Sequence, residues 1–154
     1  MLAYLSLGSN LGDRAHWLRL GVDAVALSDE RRTSSLYETE PVGGPAQGPF
    51  LNLVVELETT ATPRSLLGRC QRAEAGAGRV RGVRFGPRTL DADVLLVDGL
   101  VVADGDLEVP HPRMYERRFV LEPLRELAPH LVDDDVLGRA VGRVVRVGTL
   151  DEFR

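Results

Sequence analysis

Phe50-Leu51-Asn52-Leu53-Val54-Val55-Glu56-Leu57-Glu58 alternates with a period of two. Leu51, Leu53, Val55 and Leu57 fall on one face, leaving Phe50, Asn52, Val54 and Glu56 on the other, so the stretch reads as a strand. Before it, Thr39–Pro49 carries Pro41, Gly43, Gly44 and Pro45 and reads as a loop. After it, Thr62-Pro63 reads as the cap and first turn of a helix to about Ala75, with Leu66, Cys70 and Ala73 as its apolar stripe.

Further out, Leu2–Leu7 predicts a strand ending in the turn cluster Gly8-Ser9-Asn10. Asp13 is placed to cap a helix through about Leu27, with Trp17, Leu20, Ala24 and Leu27 along one face. Thr33–Glu38 reads as a short strand. Gly76–Pro87 is a Gly-rich basic loop, and Thr89–Val97 a strongly apolar strand interrupted by two acids. Asp98-Gly99 suits a tight hairpin before Leu100–Ala103. A short helix near Pro123–Leu127 and a weaker C-terminal segment complete the pattern. Two helices among four or more strands with hairpin connections predict an α+β fold, a sheet with helices on one side.

The 154 residues suit one domain, 1–154, at roughly 100–200 residues per domain. Hydrophobic residues at 44% and charged residues at 27% exclude a disordered tail, while 16 Gly and 9 Pro imply substantial loops. The single Cys70 has no partner for an intramolecular disulfide and excludes a multi-cysteine zinc site. The apolar run Met1–Leu7 is too short and lacks the basic flank of a signal peptide, and no run approaches the ~18 residues of a membrane span. A cytoplasmic protein with no membrane partner is the expectation. All 19 basic residues are arginines, which excludes Walker, Schiff-base and catalytic lysines. A net charge of −4 argues against a nucleic-acid partner held by counterion release.

Four groups of residues could carry chemistry. Asp91-Ala92-Asp93 projects two carboxylates from one strand face inside an apolar run, either a pair buried with a compensating cation, which suits Mg²⁺, or a strand end with two solvated acids. Arg79, Arg81, Arg84 and Arg88 form an acid-free series punctuated by Gly76, Gly78, Gly82 and Gly86, either a solvated basic loop or, since it leads through Pro87 into the two-acid strand, planar donors matched to phosphate. Gly76-Ala77-Gly78 lacks the third glycine of a dinucleotide fingerprint and follows a helix, so that reading fails. His111, held between Pro110 and Pro112, could donate to a phosphate or serve as acid–base, or be an incidental loop residue. Phe50 and Asn52 share a face, either an ordinary strand packed under a loop or an aromatic wall beside an amide that suits a flat heterocycle.

Gly8-Ser9-Asn10-Leu11-Gly12, Tyr37-Glu38-Thr39, Phe50-Leu51-Asn52, Gly78-Arg79-Val80-Arg81, Arg84-Phe85-Gly86-Pro87-Arg88-Thr89-Leu90-Asp91-Ala92-Asp93 and Val109-Pro110-His111-Pro112 occur in that order. The series resembles the 6-hydroxymethyl-7,8-dihydropterin pyrophosphokinase family over about residues 2–130. The resemblance implies a ferredoxin-like α+β sandwich, a mostly antiparallel sheet with helices packed on it. It also implies ATP-dependent pyrophosphoryl transfer to the pterin hydroxymethyl oxygen, releasing AMP, in folate biosynthesis.

By that resemblance Asp91 and Asp93 hold two Mg²⁺ ions on the ATP phosphates, and Arg81, Arg84 and Arg88 belong to a catalytic loop and phosphate clamp beside Arg79. His111 and Arg117 match phosphate-site positions, and Gln71 and Glu74 positions beside the nucleotide. Phe50 and Phe119 would sandwich the pterin, with Asn52 and the backbone around Thr39 and Val42 reading its edge. The chain departs from some relatives at Phe85, Pro112 and Asp106, where those carry Trp, Tyr and a basic residue. ATP and the pterin are the expected partners, and a monomer the expected state. Two rivals share parts of the pattern. A nucleotide- or RNA-binding module would use the basic loop and Phe50 but not the two acids. Another Mg²⁺-dependent transferase would share the metal site and differ in its product.

Overall fold

The computed structural model describes residues 1–39, 48–78 and 89–153. Along the chain run β1 (Leu2–Ser9), α1 (Arg14–Ala26), β2 (Glu30–Thr33), β3 (Leu36–Thr39), β4 (Phe50–Glu58), α2 (Pro63–Gly76) and β5 (Asp91–Val97). Then follow β6 (Val102–Asp104), β7 (Leu107–Val109), α3 (Arg118–Leu127), α4 (Asp134–Arg139) and β8 (Val144–Gly148). The main sheet has the order β5-β1-β4-β3-β8, with β2 also paired to β4, and all its strand pairs are antiparallel. With β2 and β3 counted as one strand broken at Ser34-Ser35, the first six elements make the β-α-β-β-α-β unit in spatial order fourth-first-third-second. That is the ferredoxin-like α+β arrangement that the family resemblance implied.

Alternation sorts the sheet's two faces. Leu5 and Leu7 of β1, Leu51, Leu53, Val55 and Leu57 of β4, and Ala92 and Val94 of β5 pack against α1 and α2. Tyr4, Val54 and Leu95 point the other way and meet Val120, Leu121 and Leu124 of α3. Helices therefore cover both faces, not one as expected. Strand β1, buried on both sides from Ala3 to Ser9, is the physical reason: its run has no face left for water.

The β4 alternation, the Thr62 cap (its hydroxyl accepts from the Ser65 N–H) and the Leu66–Cys70–Ala73 stripe are as read from the sequence. Asp13 caps α1 by accepting from the His16 N–H. The buried face of α1 is different, however. It carries Ala15, Leu18, Val22, Val25 and Ala26, while Leu20 and Leu27 are exposed. Gly21 accounts for the rotation, because a Cβ there would stand 2.9 Å from Leu7 Cδ2, so helix and strand touch at that point.

Thr33–Glu38 is two strands, not one. The Ser34 hydroxyl accepts from the Val54 N–H and so takes the place of a ladder bond. Asp98-Gly99 does turn the chain, but β6 then pairs with β7 through Gly105-Asp106 in a separate hairpin and not with β5. The short helix expected near Pro123 starts five residues earlier, with Pro123 inside it and buried. The C-terminal segment supplies α4 and edge strand β8. Most of Thr39–Pro49 and of Gly76–Pro87 lies outside the described residues.

Leu53 is fully buried where β4 meets the two-helix layer. Leu53→Ala should lower the urea-measured unfolding free energy by about 2–5 kcal/mol through lost contacts and a residual cavity. A loss well under 1 kcal/mol would contradict this packing.

Candidate active site

Register brings the chemistry-bearing residues into one row. Tyr37 pairs with Asn52, Asn52 with Gly8, and Gly8 with Asp91. Directly opposed residues share a face, so Asn52 and Asp91 look out on the same side, about 10 Å apart across two strand spacings. Asp93 follows two residues along, opposite Ser6. Both carboxylates are half-buried, as the i, i+2 spacing requires on a strand covered from behind.

Gly8 is what lets this row close. A Cβ there would lie 2.5 Å from Asn52 Oδ1 and 3.5 Å from Phe50 Cδ1. The Asn52 amide therefore lies over the bare backbone of β1. Its Nδ2 donates to Thr39 Oγ1 at 2.8 Å, leaving Oδ1 turned toward β1. Asn52 and Thr39 are both buried, so this bond fixes the direction of the amide. Asn10 and Arg14 then hold the backbone ahead of Phe50 by donating to the carbonyls of Gly48 and Pro49.

The His111 segment lines β5. The His111 N–H donates to the Leu95 carbonyl at 2.7 Å, at the place where the β1–β5 register shifts. The Arg113 N–H donates to His111 Nδ1 at 3.1 Å, so Nδ1 is an acceptor and the neutral ring carries its proton on Nε2. Burial, then Arg117 and Arg113, push the imidazole below its ordinary 6.5, against the pull of Asp91 and Glu108. At neutral pH His111 thus offers an uncharged N–H donor.

Burial lowers the Arg117 pKa, followed by the repulsion of Arg113, while Asp93 and Asp91 oppose the shift. Its guanidinium stays charged, as arginines in proteins do. It lies 5.6 Å from the Phe119 ring centroid, a cation–π contact. Val141 pins this segment, accepting from the Arg118 N–H and donating to the Glu116 carbonyl.

On the other side of β5, the Glu74 carboxylate of α2 accepts from the Ala92 N–H at 3.0 Å, and Gln71 is exposed one turn earlier. Asp106 pairs with Arg64 at 2.6 Å, which ties the β6–β7 turn to the start of α2. The structure thus brings together Asp91, Asp93, Asn52, Phe50 and Thr39, with His111, Arg117 and Phe119 beside them. Arg79, Arg81, Arg84, Arg88 and Val42 lie outside the described residues. Gly8 and Ser9, read from sequence as the start of a turn, lie inside β1, where a glycine marks a close approach.

The donor set suits a hard cation. Asp91 and Asp93 supply carboxylate oxygens without sulfur or imidazole, and among the described residues no group of three or more His, Cys, Asp or Glu could hold a metal. Two carboxylates leave most of an octahedral Mg²⁺ shell to water and phosphate oxygens. A separate cavity of about 740 Å³, bordered by Arg19, Asp23, Ser35, Glu126 and Leu150, lies away from this row. Its polar groups are engaged: Glu126 accepts from Ser35 and Tyr37, and Arg19 donates to the Leu150 and Phe153 carbonyls.

The chain is similar to known proteins. The 7,8-dihydro-6-hydroxymethylpterin-pyrophosphokinase family model matches residues 4–129. The 2-amino-4-hydroxy-6-hydroxymethyldihydropteridine pyrophosphokinase of Bacillus subtilis is 43% identical over 162 residues, covering 99% of this chain and 95% of that protein. The protein of the same name from Methylorubrum extorquens is 47% identical over 133 residues, 84% of each chain. The mitochondrial folate synthesis bifunctional protein of Pisum sativum is 38% identical over 135 residues, 86% of this chain and 26% of its own length.

Two outcomes test the geometry. Gly8→Ala should push the Asn52 amide off Thr39, shift the Asn52 side-chain NH₂ resonances and cost about 1–3 kcal/mol, with the fold kept. Unmoved Asn52 resonances would refute the close approach. The lowered His111 pKa means that the unfolded chain binds a proton first as pH falls. His111 therefore contributes stability fully above the unfolded value of about 6.5, and this contribution is lost as pH drops from there toward the folded value. His111→Asn should flatten the fall in urea midpoint between about pH 7.5 and pH 5.5. An unchanged fall would contradict the assignment.

Proposed function

The chain belongs to the 7,8-dihydro-6-hydroxymethylpterin-pyrophosphokinase family, and from that premise we propose how its residues perform the reaction. The activity is transfer of the pyrophosphoryl group of ATP to the hydroxymethyl oxygen of 6-hydroxymethyl-7,8-dihydropterin, releasing AMP, in folate biosynthesis. One observation carries the reading: the Asn52 amide and the Asp91–Asp93 pair share a sheet face with only Gly8 between their strands. A heterocycle read by the first lies within reach of a polyphosphate held at the second.

Asn52 Oδ1 accepts from a ring N–H or amino group, its direction held by Thr39. Phe50 and Phe119 supply the stacking walls, and the backbone near Val42 reads the rest of the edge. Asp91 and Asp93 hold two Mg²⁺ ions, whose chemistry is to neutralise the polyphosphate and acidify a coordinated hydroxyl. His111 donates from Nε2 and Arg117 from its guanidinium to phosphate oxygens. Arg79, Arg81, Arg84 and Arg88 complete the clamp, with Gln71 and Glu74 on the nucleotide side. No general base is required, because phosphoryl-type transfer depends mainly on positioning and charge stabilisation. We further take the protein to act as a monomer and single domain in the cytoplasm on small molecules alone. No helix among the described residues is long and apolar enough to cross a membrane, and the net charge of −4 disfavours nucleic acid.

The test is one incubation with ATP, Mg²⁺ and the pterin. AMP should form in step with pterin diphosphate, whereas ADP or pyrophosphate as product would mean a different transferase. Asp93→Ala should remove most turnover while the thermal transition is kept. Arg84→Ala should lower turnover about 10²–10³-fold through a donor lost at developing charge. Full activity of Asp93→Ala at limiting Mg²⁺ would refute the metal assignment.

A further inference from the structure

Among the described residues, strand β5 is an edge of the main sheet, with β1 as its only strand neighbour there. Half of an edge strand's backbone groups point away from the sheet and have no ladder partner. The Ala92 N–H is one of these, and it sits between Asp91 and Asp93. Glu74 takes the place of the missing strand: its Oε2 accepts from that N–H at 3.0 Å. The Ala92 methyl, on the opposite face to the two carboxylates, is buried against α2 in the cluster that contains Cys70 and Ala73. Helix α2 therefore grips the middle residue of the acidic pair twice, once by packing and once by a charge-assisted bond.

We infer that Glu74, besides its place on the nucleotide side, is a positioning residue for the metal carboxylates, acting on them through the Ala92 peptide. The mechanism is rotational. The Asp91–Ala92 peptide sets the angle between the two side chains, and with its N–H held, rocking of that peptide is resisted. The neighbourhood is electrostatically tight as well. Burial and then the charges of Asp93, Glu74 and Asp91 push the Cys70 thiol up, so all three carboxylates are felt at one buried sulfur. Yet no three-ligand group is present among the described residues, so Glu74 stands behind the pair. Outer partners of this kind orient ligands and set metal affinity.

The inference rests on Asp91 and Asp93 being the metal carboxylates, and two substitutions separate its parts. Glu74→Gln keeps an acceptor oxygen at the same reach and loses the charge. Glu74→Asp keeps the charge and falls short of the Ala92 N–H. In the metal-free protein, Ala92 amide exchange should quicken in Glu74→Asp and stay near wild type in Glu74→Gln. With a nonhydrolysable ATP analogue present, Mn²⁺ affinity read by electron paramagnetic resonance should fall about 10–100-fold in Glu74→Asp and little in Glu74→Gln.

Wild-type exchange and Mn²⁺ affinity in Glu74→Asp would overturn the inference. So would Glu74→Gln binding Mn²⁺ as weakly as Glu74→Asp, since charge and not the bond would then be the cause. Asp93→Asn in the same titration isolates the premise. Wild-type Mn²⁺ affinity there removes the metal reading itself, whereas lost affinity there with an unaffected Glu74→Asp removes only the role of Glu74.

Discussion

Strand β1 is hydrogen-bonded along both edges and covered on both faces, and that double confinement organises the molecule. Its even positions, Tyr4, Ser6 and Gly8, face α3 and the site, while Ala3, Leu5 and Leu7 face α1 and α2. A slip of one residue would exchange the two sets, putting leucines at the site and a tyrosine in the two-helix core. The register is held by roughly complete apolar complementarity on one side. The other side can therefore carry a glycine, a serine and, on its neighbours, an amide and two carboxylates. The site is polar because the opposite face is not.

Much of this was legible from sequence wherever a local period of two decides the outcome. Phe50 with Asn52, and Asp91 with Asp93, were placed on shared faces by alternation alone. Thr62 and Asp13 declared their helices by cap chemistry that acts within three residues. The misread face of α1 has a different origin. Apolar and small residues surround that helix, so Leu20 and Leu27 competed with Leu18 and Val25 on equal terms. The choice was made by Gly21, whose missing side chain admits Leu7 and Leu90. Pro123 misled for a related reason. It reads as a helix start, but a buried proline within the helix is tolerated when the packing of Val120, Leu121 and Leu124 against Val54 and Leu95 outweighs one lost bond.

What sequence could not show are the contacts between distant positions: Glu74 with Ala92, His111 with Leu95, Asn52 over Gly8, Val141 with Arg118. None has a local signature. Each holds one functional group in place, so the candidate list could be named from residue types while its support could not. The arginines divide in the same way. Arg69 meets Asp29 in a largely buried pair, Arg32 bridges Glu56, and Arg64 ties Asp104 and Asp106. Most are exposed pairs that add little to stability. Arg117, facing Asp91 and Asp93 from a half-buried position, differs in having its charge directed at the row.

The double pairing of β1 also sets how the molecule comes together in time. Ala3 pairs with Leu57 on one edge and with Val97 on the other, contacts 54 and 94 residues apart in a chain of 154. Helices α1 and α2 and the β6–β7 hairpin close over short separations, whereas the central sheet pays the entropy of two long loops. High contact order of this kind makes folding slow, and the row from Asn52 to Asp91 exists only after both long-range pairings have formed. A partly folded chain thus has helices but no site, and the gain of ligand binding during refolding reports completion of the sheet.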